Sequence, residues 1–421
     1  MPIRFFSAPN FLVTALLLPA LLAPVVGRAA EWSAEPSVKL RREYNDNLQL
    51  SIYPHESVNG SLITPALNLG VAGPVWSVGL NAEATQRRYS GEEGLDRDDS
   101  AFRLASLFTT ERSTWQLDAS RARDAAVTSE QVDSDTGAVQ TLVNREADTI
   151  KPSWTWMISQ ISQLQLAYQQ TDVSYGNNSL SAGLYDYRYR TASATLGQRL
   201  SELDQIFLYG GYSDYQVPFT SFDSETRSLQ GGITRNFSET TKGTLQAGRR
   251  WTESFRKGGG WECGLAVSTS GGVVCLYYII VPLDIITKST GSVFTGSLES
   301  KMESADWSIS LSRSLDPSGS GGQVEQDQFK FALNKRLSPR AGVNINGSAL
   351  KSRRQEGTIL SSDRTFYDLS PGVYWQWTRE WSVGANYRYA HVKREYENDA
   401  ADSNPMNLWL TYKPLKMSVS R

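Results

Sequence analysis

The sequence is poor in the residues that most often carry catalysis and metal binding. It holds two histidines, His55 and His391, and two cysteines in 421 residues. It has no glycine-rich phosphate loop, no serine nucleophile at a recognisable spacing and no cluster of metal ligands. The alternation that begins at Trp381 places His391 on an outward face. We therefore expect no enzymatic activity and no cofactor.

An excess of charge of one sign is also lacking. The formal net charge is −2, and removal of Arg4 and Arg28 with residues 1–30 changes it from −2 to −4. A dedicated nucleic-acid binder would carry a basic excess. The sequence therefore argues against a nucleic-acid partner.

A long apolar run is missing after residue 30. Residues 1–30 themselves have Arg4, an apolar stretch over 11–26 and small residues at 27–30, a pattern that predicts a cleaved signal peptide. A membrane anchor helix is the alternative, which Pro19, Pro24 and the short length disfavour. Later in the chain, 273–286 is interrupted by Cys, Pro and Asp, so no segment reaches the ~18 apolar residues of a membrane helix. We expect an exported protein.

The mature sequence is instead rich in two-residue alternation. In 367–389, apolar residues alternate with polar ones on both sides of a short polar break at 378–380. The apolar set is Leu369, Val373, Trp375, Trp377, Trp381, Val383, Ala385, Tyr387 and Tyr389. Such a period places one apolar and one polar face on each strand.

The same two-residue alternation recurs along residues 31–421, with alternately short and long connections and aromatic residues at strand ends. It predicts an all-β fold, a single transmembrane antiparallel β-barrel of about 18 strands (16–18) with short periplasmic turns and long extracellular loops. A soluble propeller or a stacked sandwich is the alternative. A propeller blade would need four strands where this sequence offers two.

The short connections share a pattern in which an apolar residue precedes Ser or Thr and then a polar residue or proline. It occurs at Leu200-Ser201-Glu202, Phe237-Ser238-Glu239, Leu337-Ser338-Pro339 and Trp377-Thr378-Arg379. We interpret these as tight turns at one end of the barrel.

If the apolar set faces lipid, a polar set faces the lumen. The pore-lining candidates are Asn81, Glu83, Gln163, Gln165, Gln230, Gln246, Arg250, Lys330, Asn344, Asn346, Asn386 and Arg388. Amides donate and accept hydrogen bonds and so suit sugar hydroxyls, and the cations would favour anionic sugars. The alternative is that these residues only satisfy a water-filled lumen.

The segment 257–288 is the most unusual stretch. Cys263 and Cys275 predict a disulfide in an oxidising compartment, because two cysteines alone are too few ligands for a metal. Residues 273–286 are too apolar for an exposed loop. We expect this long loop to fold inward as a constriction or to pack on a partner; a hairpin above the membrane is the other possibility.

Tyr44-Asn45-Asp46-Asn47 on the first strand, followed by the hairpin series, resembles the β-barrel porins associated with exopolysaccharide and PEP-CTERM (exosortase) systems of Gram-negative bacteria. The resemblance implies an outer-membrane channel that exports an exopolysaccharide. The partners it implies are outer-membrane lipid and lipopolysaccharide, the polysaccharide, periplasmic export components and the barrel-assembly machinery. A general or solute-selective porin, and a structural or adhesive barrel without transport, remain alternatives.

Two details of the resemblance stay open. For Asp46 and Asn47, a strand-end turn that fixes the first loop is favoured over a ligand-binding role. Barrels of this kind commonly end on an aromatic residue, whereas Tyr412 is followed by 413–421. Either Tyr412 is the insertion signal, or the last strand is longer than 405–414.

Overall fold

Nearly all of the chain that can be described lies in one antiparallel sheet. The computed structural model describes residues 30–420 except 54, 92–93, 127–142, 178, 181–182, 270–271, 355–362 and 395–398, and within its strands it leaves out the side chains of 258–283, 354, 399 and 420. The expected signal peptide lies outside the described residues, apart from Ala30. Among the described residues, no helix is long and apolar enough to cross a bilayer.

The sheet contains 21 strand segments in chain order. They are β1 (Glu31–Asn45), β2 (Val58–Ala72), β3 (Trp76–Ser90), β4 (Arg97–Thr109), β5 (Ser113–Ala125), β6 (Asn144–Met157), β7 (Ser162–Tyr175), β8 (Tyr187–Arg199), β9 (Asp204–Val217), β10 (Phe222–Asn236), β11 (Thr241–Thr269), β12 (Gly272–Lys301), β13 (Ala305–Ser318), β14 (Gly322–Arg336), β15 (Ala341–Arg354), β16 (Arg364–Gln376), β17 (Trp381–Tyr387), β18 (Tyr389–Arg394), β19 (Asp399–Ser403), β20 (Met406–Tyr412) and β21 (Met417–Ser420). Pro218–Thr220 forms a 3₁₀ turn between β9 and β10.

The sheet closes on itself through its first strand. β1 pairs with β2 on one side and with β20 and β21 on the other. β17 and β18 form one crossing interrupted at Arg388, and β19, β20 and β21 form another, interrupted first at Asn404 and Pro405. Because proline has no N–H to donate, it breaks the ladder there. The result is a closed barrel of 18 antiparallel crossings, which confirms the predicted fold class. Of the two possibilities for the chain end, the longer last crossing is the one observed, since Met417 pairs with Ala34.

Alternate residues of each strand separate into an outer and an inner face. The outer face carries exposed apolar side chains, as with Ile63, Leu67 and Leu69 on β2 and Leu245 on β11, which is 60% exposed. The residues between them form hydrogen bonds and ion pairs across neighbouring strands. An apolar outside and a polar inside invert the usual arrangement of a soluble protein.

One end of the barrel, the turn end, is formed by eight connections of three or four residues. In these turns a Ser or Thr hydroxyl accepts hydrogen bonds from backbone N–H groups two or three residues later, as Ser201, Ser238, Ser338 and Thr378 do. This explains the sequence pattern, because the hydroxyl replaces a backbone turn contact. The preceding apolar residues are highly exposed and ring this end. They are Leu200, Phe237, Leu337 and Trp377.

At the opposite end, the loop end, residues 257–288 continue β11 and β12 as one paired hairpin. The pairing is that of a hairpin, and its place relative to the lumen or to a partner stays a prediction. β10 pairs with β11 only up to Arg256, so the hairpin extends beyond its neighbour. The backbone pairs Cys263 with Tyr278 and Cys275 with Ala266. This register does not place the cysteines opposite each other, and their disulfide remains a prediction.

Candidate functional site

The upper part of the β13–β14 hairpin leaves the barrel wall at the loop end. Pairing between β12 and β13 ends at Phe294 and Arg313, whereas β13 continues to Ser318 paired with β14 alone. We call residues 314–325 the hairpin tip. On one side of the tip, therefore, the wall is interrupted.

The hairpin tip crosses to the inner face of strands that are not its sheet neighbours. The Ser224 hydroxyl on β10 donates to Gln323 Oε1 at 2.7 Å. The Tyr215 hydroxyl on β9 donates to the Ser318 carbonyl at 2.5 Å. Ser224, Tyr215 and Ser318 are each 1% exposed or less. The tip thus lies inside the lumen and covers the inner wall of β9–β11.

Arg250 is the central contact between the tip and the wall. Its Nη2 lies 2.6 Å from Glu325 Oε2, and Arg250 is 1% exposed. A Cβ at Gly291 would approach the guanidinium to 2.8 Å, so a larger residue there would force Arg250 to shift. Arg250 was expected to line a pore. In this conformation it is enclosed between β11 and β14, where a solute has no access to it.

Glu325 also belongs to a wider ion-pair network on the hairpin. Arg313 makes two contacts with Asp327, and Arg353 Nη2 lies 3.5 Å from the same carboxylate. Networks of this kind hold strands in a fixed geometry better than isolated surface pairs do. The network connects β13, β14 and β15 just below the hairpin tip.

An apolar cluster supports the tip from the side of β7–β10. It contains Val173, Tyr175, Leu184, Tyr187, Tyr215, Val217 and Phe222, together with Ala126 and Val143. Tyr185 N donates to the Gly319 carbonyl at 2.8 Å, and the Tyr185 ring stacks on Phe219. Gly321 has φ +84°, and a Cβ added there would lie 3.0 Å from that ring, which favours glycine at this position.

A second segment, the first loop (residues 46–53 and 55–57), folds inward from another part of the rim. Leu50 is 3% exposed and packs with Leu350, Phe366, Ala390, Val392 and Ala401 on the inner faces of β15–β19. Arg394 donates to the Leu50 carbonyl at 3.5 Å. The first loop and the hairpin tip together narrow the loop end.

The Asn45-Asp46-Asn47 motif fastens the first loop to the last crossing. Asn45 Oδ1 accepts from the Ser403 hydroxyl at 3.0 Å. Asp46 accepts from the backbone and the side chain of Asn404 at 2.6 and 2.8 Å. The Asn47 side-chain amide donates to the Asp402 carbonyl at 3.0 Å. It also donates to the Ser51 carbonyl, and its Oδ1 accepts from the Ser51 N–H. The motif therefore forms the strand-end turn that was the favoured interpretation.

The other pore-lining candidates are spread around the wall and do not form one site. Asn81 donates to Asn68, Asn386 to Ser370 at 3.3 Å, and Arg388 to Asp368 at 3.3 Å. Gln163, Gln230, Gln246 and Asn344 are half-buried, and Glu83, Gln165, Lys330 and Asn346 are exposed. Their role in lining a pore remains a prediction.

Sequence reasoning missed a basic group on the inner face of β1, β3 and β4. Lys39 and Arg41 alternate with the exposed Val38 and Leu40. Arg87 pairs directly with Arg97 across the β3–β4 ladder. The signal was available, because residues between outward apolar positions must face inward.

His391 lies on the outer face, away from these groups. Its ring stacks on Tyr367, with centroids 4.7 Å apart, and its Nδ1 lies 2.7 Å from Asp402 Oδ1. Tyr389 donates to the same carboxylate oxygen. Tyr367 is 41% exposed. The stacked pair of Tyr367 and His391 therefore lies on the outer face of the wall, which is the face predicted for His391.

Three of the solved structures that are similar to this chain are the following. OccAB2 of Acinetobacter baumannii is 11% identical, with a TM-score of 0.43 and coverage of 91% of this chain and 98% of that chain. OpdL of Pseudomonas aeruginosa is 13% identical, with a TM-score of 0.43 and coverage of 92% and 99%. The ferric-catecholate import receptor Fiu of E. coli K12 is 8% identical, with a TM-score of 0.43 and coverage of 90% and 81%. No protein-family model and no curated protein matches the chain.

Proposed function

We propose that this protein is a porin-like channel of a Gram-negative outer membrane. The observation that carries the proposal is the closed 18-crossing barrel with exposed apolar side chains outside and polar side chains inside. Barrels of 16–18 strands are wide enough to leave an aqueous channel. The turn end then faces the periplasm and the loop end faces the medium.

The apolar outer face supports the membrane location. Side chains such as Leu245 and Val373 would be exposed to water over a wide band in a soluble protein. Lipid and lipopolysaccharide are then the partners of this face, and the barrel-assembly machinery inserts it. Cleavage of residues 1–30 after export belongs to the same proposal.

Export of an exopolysaccharide is the more specific form of the proposal. Amide and hydroxyl groups line much of the inner face, and they can exchange hydrogen bonds with a sliding sugar chain. Periplasmic export components would deliver the polymer to the turn end. For a polymer to pass, the hairpin tip and the first loop must move away from the lumen.

A solute-selective porin is the second candidate, and the narrowed loop end favours it. Two inward segments reduce the opening in the way that an eyelet does, and a small solute could pass without their displacement. A closed structural barrel without transport is the third candidate, and the experiment must distinguish it from the two kinds of channel.

The test is single-channel conductance of the refolded protein in a planar bilayer, with and without the host polysaccharide. Current that this polymer blocks and dextran does not block supports export. Current that is indifferent to the polymer supports a solute porin. A folded barrel without current, both in the native form and with residues 314–325 replaced by a short turn, would refute the channel.

A further inference from the structure

A basic and aromatic patch lies on the inner wall where the barrel closes. Its residues occupy two neighbouring rows across β20, β1, β2, β3 and β4. The strand pairings give the first row as Trp409, Arg41, Leu62, Arg87 and Arg97. The second row is Thr411, Lys39, Thr64, Thr85 and Asp99, in which the hydroxyls of Thr64 and Thr85 connect β2 to β3. Every residue of these rows shares the face opposite to Leu40 and Leu408, which are exposed on the outer face.

Cations crowd this patch although like charges disfavour direct opposition. Arg87 and Arg97 face each other across the ladder, and the charges of both act on Arg41. Asp99 contacts both Arg87 and Arg97, at 3.5 Å for the latter, and Glu43 lies 3.7 Å from Arg41.

The charges of the patch leave a positive excess. Glu83 acts on Lys39, so Lys39, Arg41, Arg87 and Arg97 face the three carboxylates of Glu43, Glu83 and Asp99. Among these seven described side chains the cations outnumber the carboxylates by one, which favours an anionic ligand over a cationic one.

Trp409 supplies an aromatic surface beside these cations. A Cβ at Gly384 would overlap the Cζ2 and Cε2 atoms of its indole, so the ring packs against this glycine. Lys39 Nζ lies 5.0 Å from the ring centroid on β20. An indole face suits the apolar C–H face of a sugar ring, and a lysine above it suits a carboxylate on that sugar.

Neutral hydroxyl groups complete the patch. The Thr64 and Thr85 hydroxyls form a hydrogen bond at 2.9 Å and lie one row from Arg41 and Arg87. Hydroxyls both donate and accept, so they can bind sugar hydroxyls. The guanidinium of Arg41 is partly accessible, with 28% of its side chain exposed.

We propose that this patch is a binding site for an anionic saccharide, with the sugar ring on Trp409 and its carboxylate at Lys39 and Arg41. The inference rests on the proposed channel, because it assigns a chemical class, uronic-acid-containing glycans, to that channel's cargo. Arg87 binds the neighbouring sugar hydroxyls together with Thr64, which is half-buried.

The experiment measures binding of trigalacturonate and of neutral maltotriose to the full refolded barrel by isothermal titration calorimetry at low salt. Trigalacturonate binds at least about tenfold more tightly than maltotriose, as expected for charge-assisted hydrogen bonds. Arg41→Gln and Trp409→Leu each weaken trigalacturonate binding by roughly tenfold. Lys39→Gln provides a second variant that does not disturb the packing on Gly384.

Arg103→Gln is the matched control. Arg103 also faces inward on β4, paired with Asp118 at 3.1 Å and 67% exposed, but it lies outside the two rows. Binding that is absent in the folded wild type, or equally weakened by Arg103→Gln, would overturn the site. Conductance on the same preparations separates the two proposals: a barrel that conducts without binding refutes only the site, and one that binds without conducting refutes only the channel.

Discussion

At the scale of single residues, the side chain of Asn47 connects two ends of the sequence. It makes three hydrogen bonds, two with Ser51 and one with the Asp402 carbonyl, and it is 2% exposed. Buried amides in such positions are sensitive to truncation because their partners are left unsatisfied. The short motif therefore has a structural explanation in backbone contacts.

We expect Asn47→Ala to lower the free energy of unfolding by about 1–3 kcal/mol, since it leaves the Ser51 and Asp402 backbone groups without this partner. The measurement is urea unfolding of the refolded barrel, followed by tryptophan fluorescence. Asn59→Ala, at an exposed position at the start of β2, is the control and should change stability little. Equal effects of the two substitutions would argue against the fastening role.

The turn-end serines form a second set of residue-scale contacts. Ser338 Oγ accepts from the N–H groups of Arg340 and Ala341 at 3.2 and 3.0 Å. Because this turn is open to solvent, water can replace part of the lost contact. We expect Ser338→Ala to cost about 0.5–1 kcal/mol in the same unfolding assay. Glu239→Ala, in a turn that keeps its Ser238, should be neutral, and a neutral Ser338→Ala would contradict the prediction.

At the scale of elements, the hairpin tip depends on a buried ion pair. Breaking such a pair by changing one partner is strongly destabilising, whereas replacing both by apolar residues is often tolerated. Glu325→Gln should therefore release the tip, at a cost of about 3 kcal/mol for the closed position. We expect a larger mean conductance and faster labelling of a cysteine placed at Ser318.

The double variant Arg250→Met with Glu325→Met tests the same idea in the opposite direction. Apolar side chains of similar length should repack the contact, so that conductance and labelling return toward the native values. Glu325→Gln and the double variant are both measured in a background that lacks Cys263 and Cys275. Glu303→Gln at the turn end is the charge control. If Glu325→Gln leaves both readouts unchanged, the ion pair does not hold the tip.

The elements differ in how far the sequence could predict them. The strands at 367–389 follow directly from alternation, and the tight turns follow from the Ser and Thr positions. The position of the hairpin tip did not follow from the sequence. Its contacts join Tyr215 to Ser318 and Arg250 to Glu325, which are far apart in the chain. A local sequence pattern does not indicate which distant residues will pair. The apolar content of 273–286 suggested an inward segment there, whereas no local pattern marked the hairpin tip, which is rich in glycine and polar residues.

At the scale of the whole molecule, the two faces of one strand provide a direct test of the barrel in a membrane. Leu245 and Gln246 are neighbours on β11, the first on the exposed apolar face. We expect Leu245→Arg to destabilise the barrel in phospholipid by up to about 2–4 kcal/mol, the range for arginine facing lipid near the midplane. Gln246→Arg should cost much less, because its face meets water.

The comparison uses reversible unfolding from lipid vesicles, with the same two variants in detergent as a reference. Equal destabilisation by both arginines would contradict the assignment of faces. The overall architecture was the part most accessible from sequence, since one period repeated over residues 31–421 fixes both faces. The basic patch at the closure was not found, because it arises only when the last crossing meets the first.

The contacts of Asn45, Asp46 and Asn47 also impose an order on biogenesis. Their partners Asp402, Ser403 and Asn404 are synthesised some 355–358 residues later. During synthesis and insertion the first loop therefore cannot form its contacts with residues 402–404 until the last crossing has been made. A truncated or stalled chain would expose an unfastened loop at its leading edge. The contacts of the first loop can therefore form only after the last crossing of the barrel is in place.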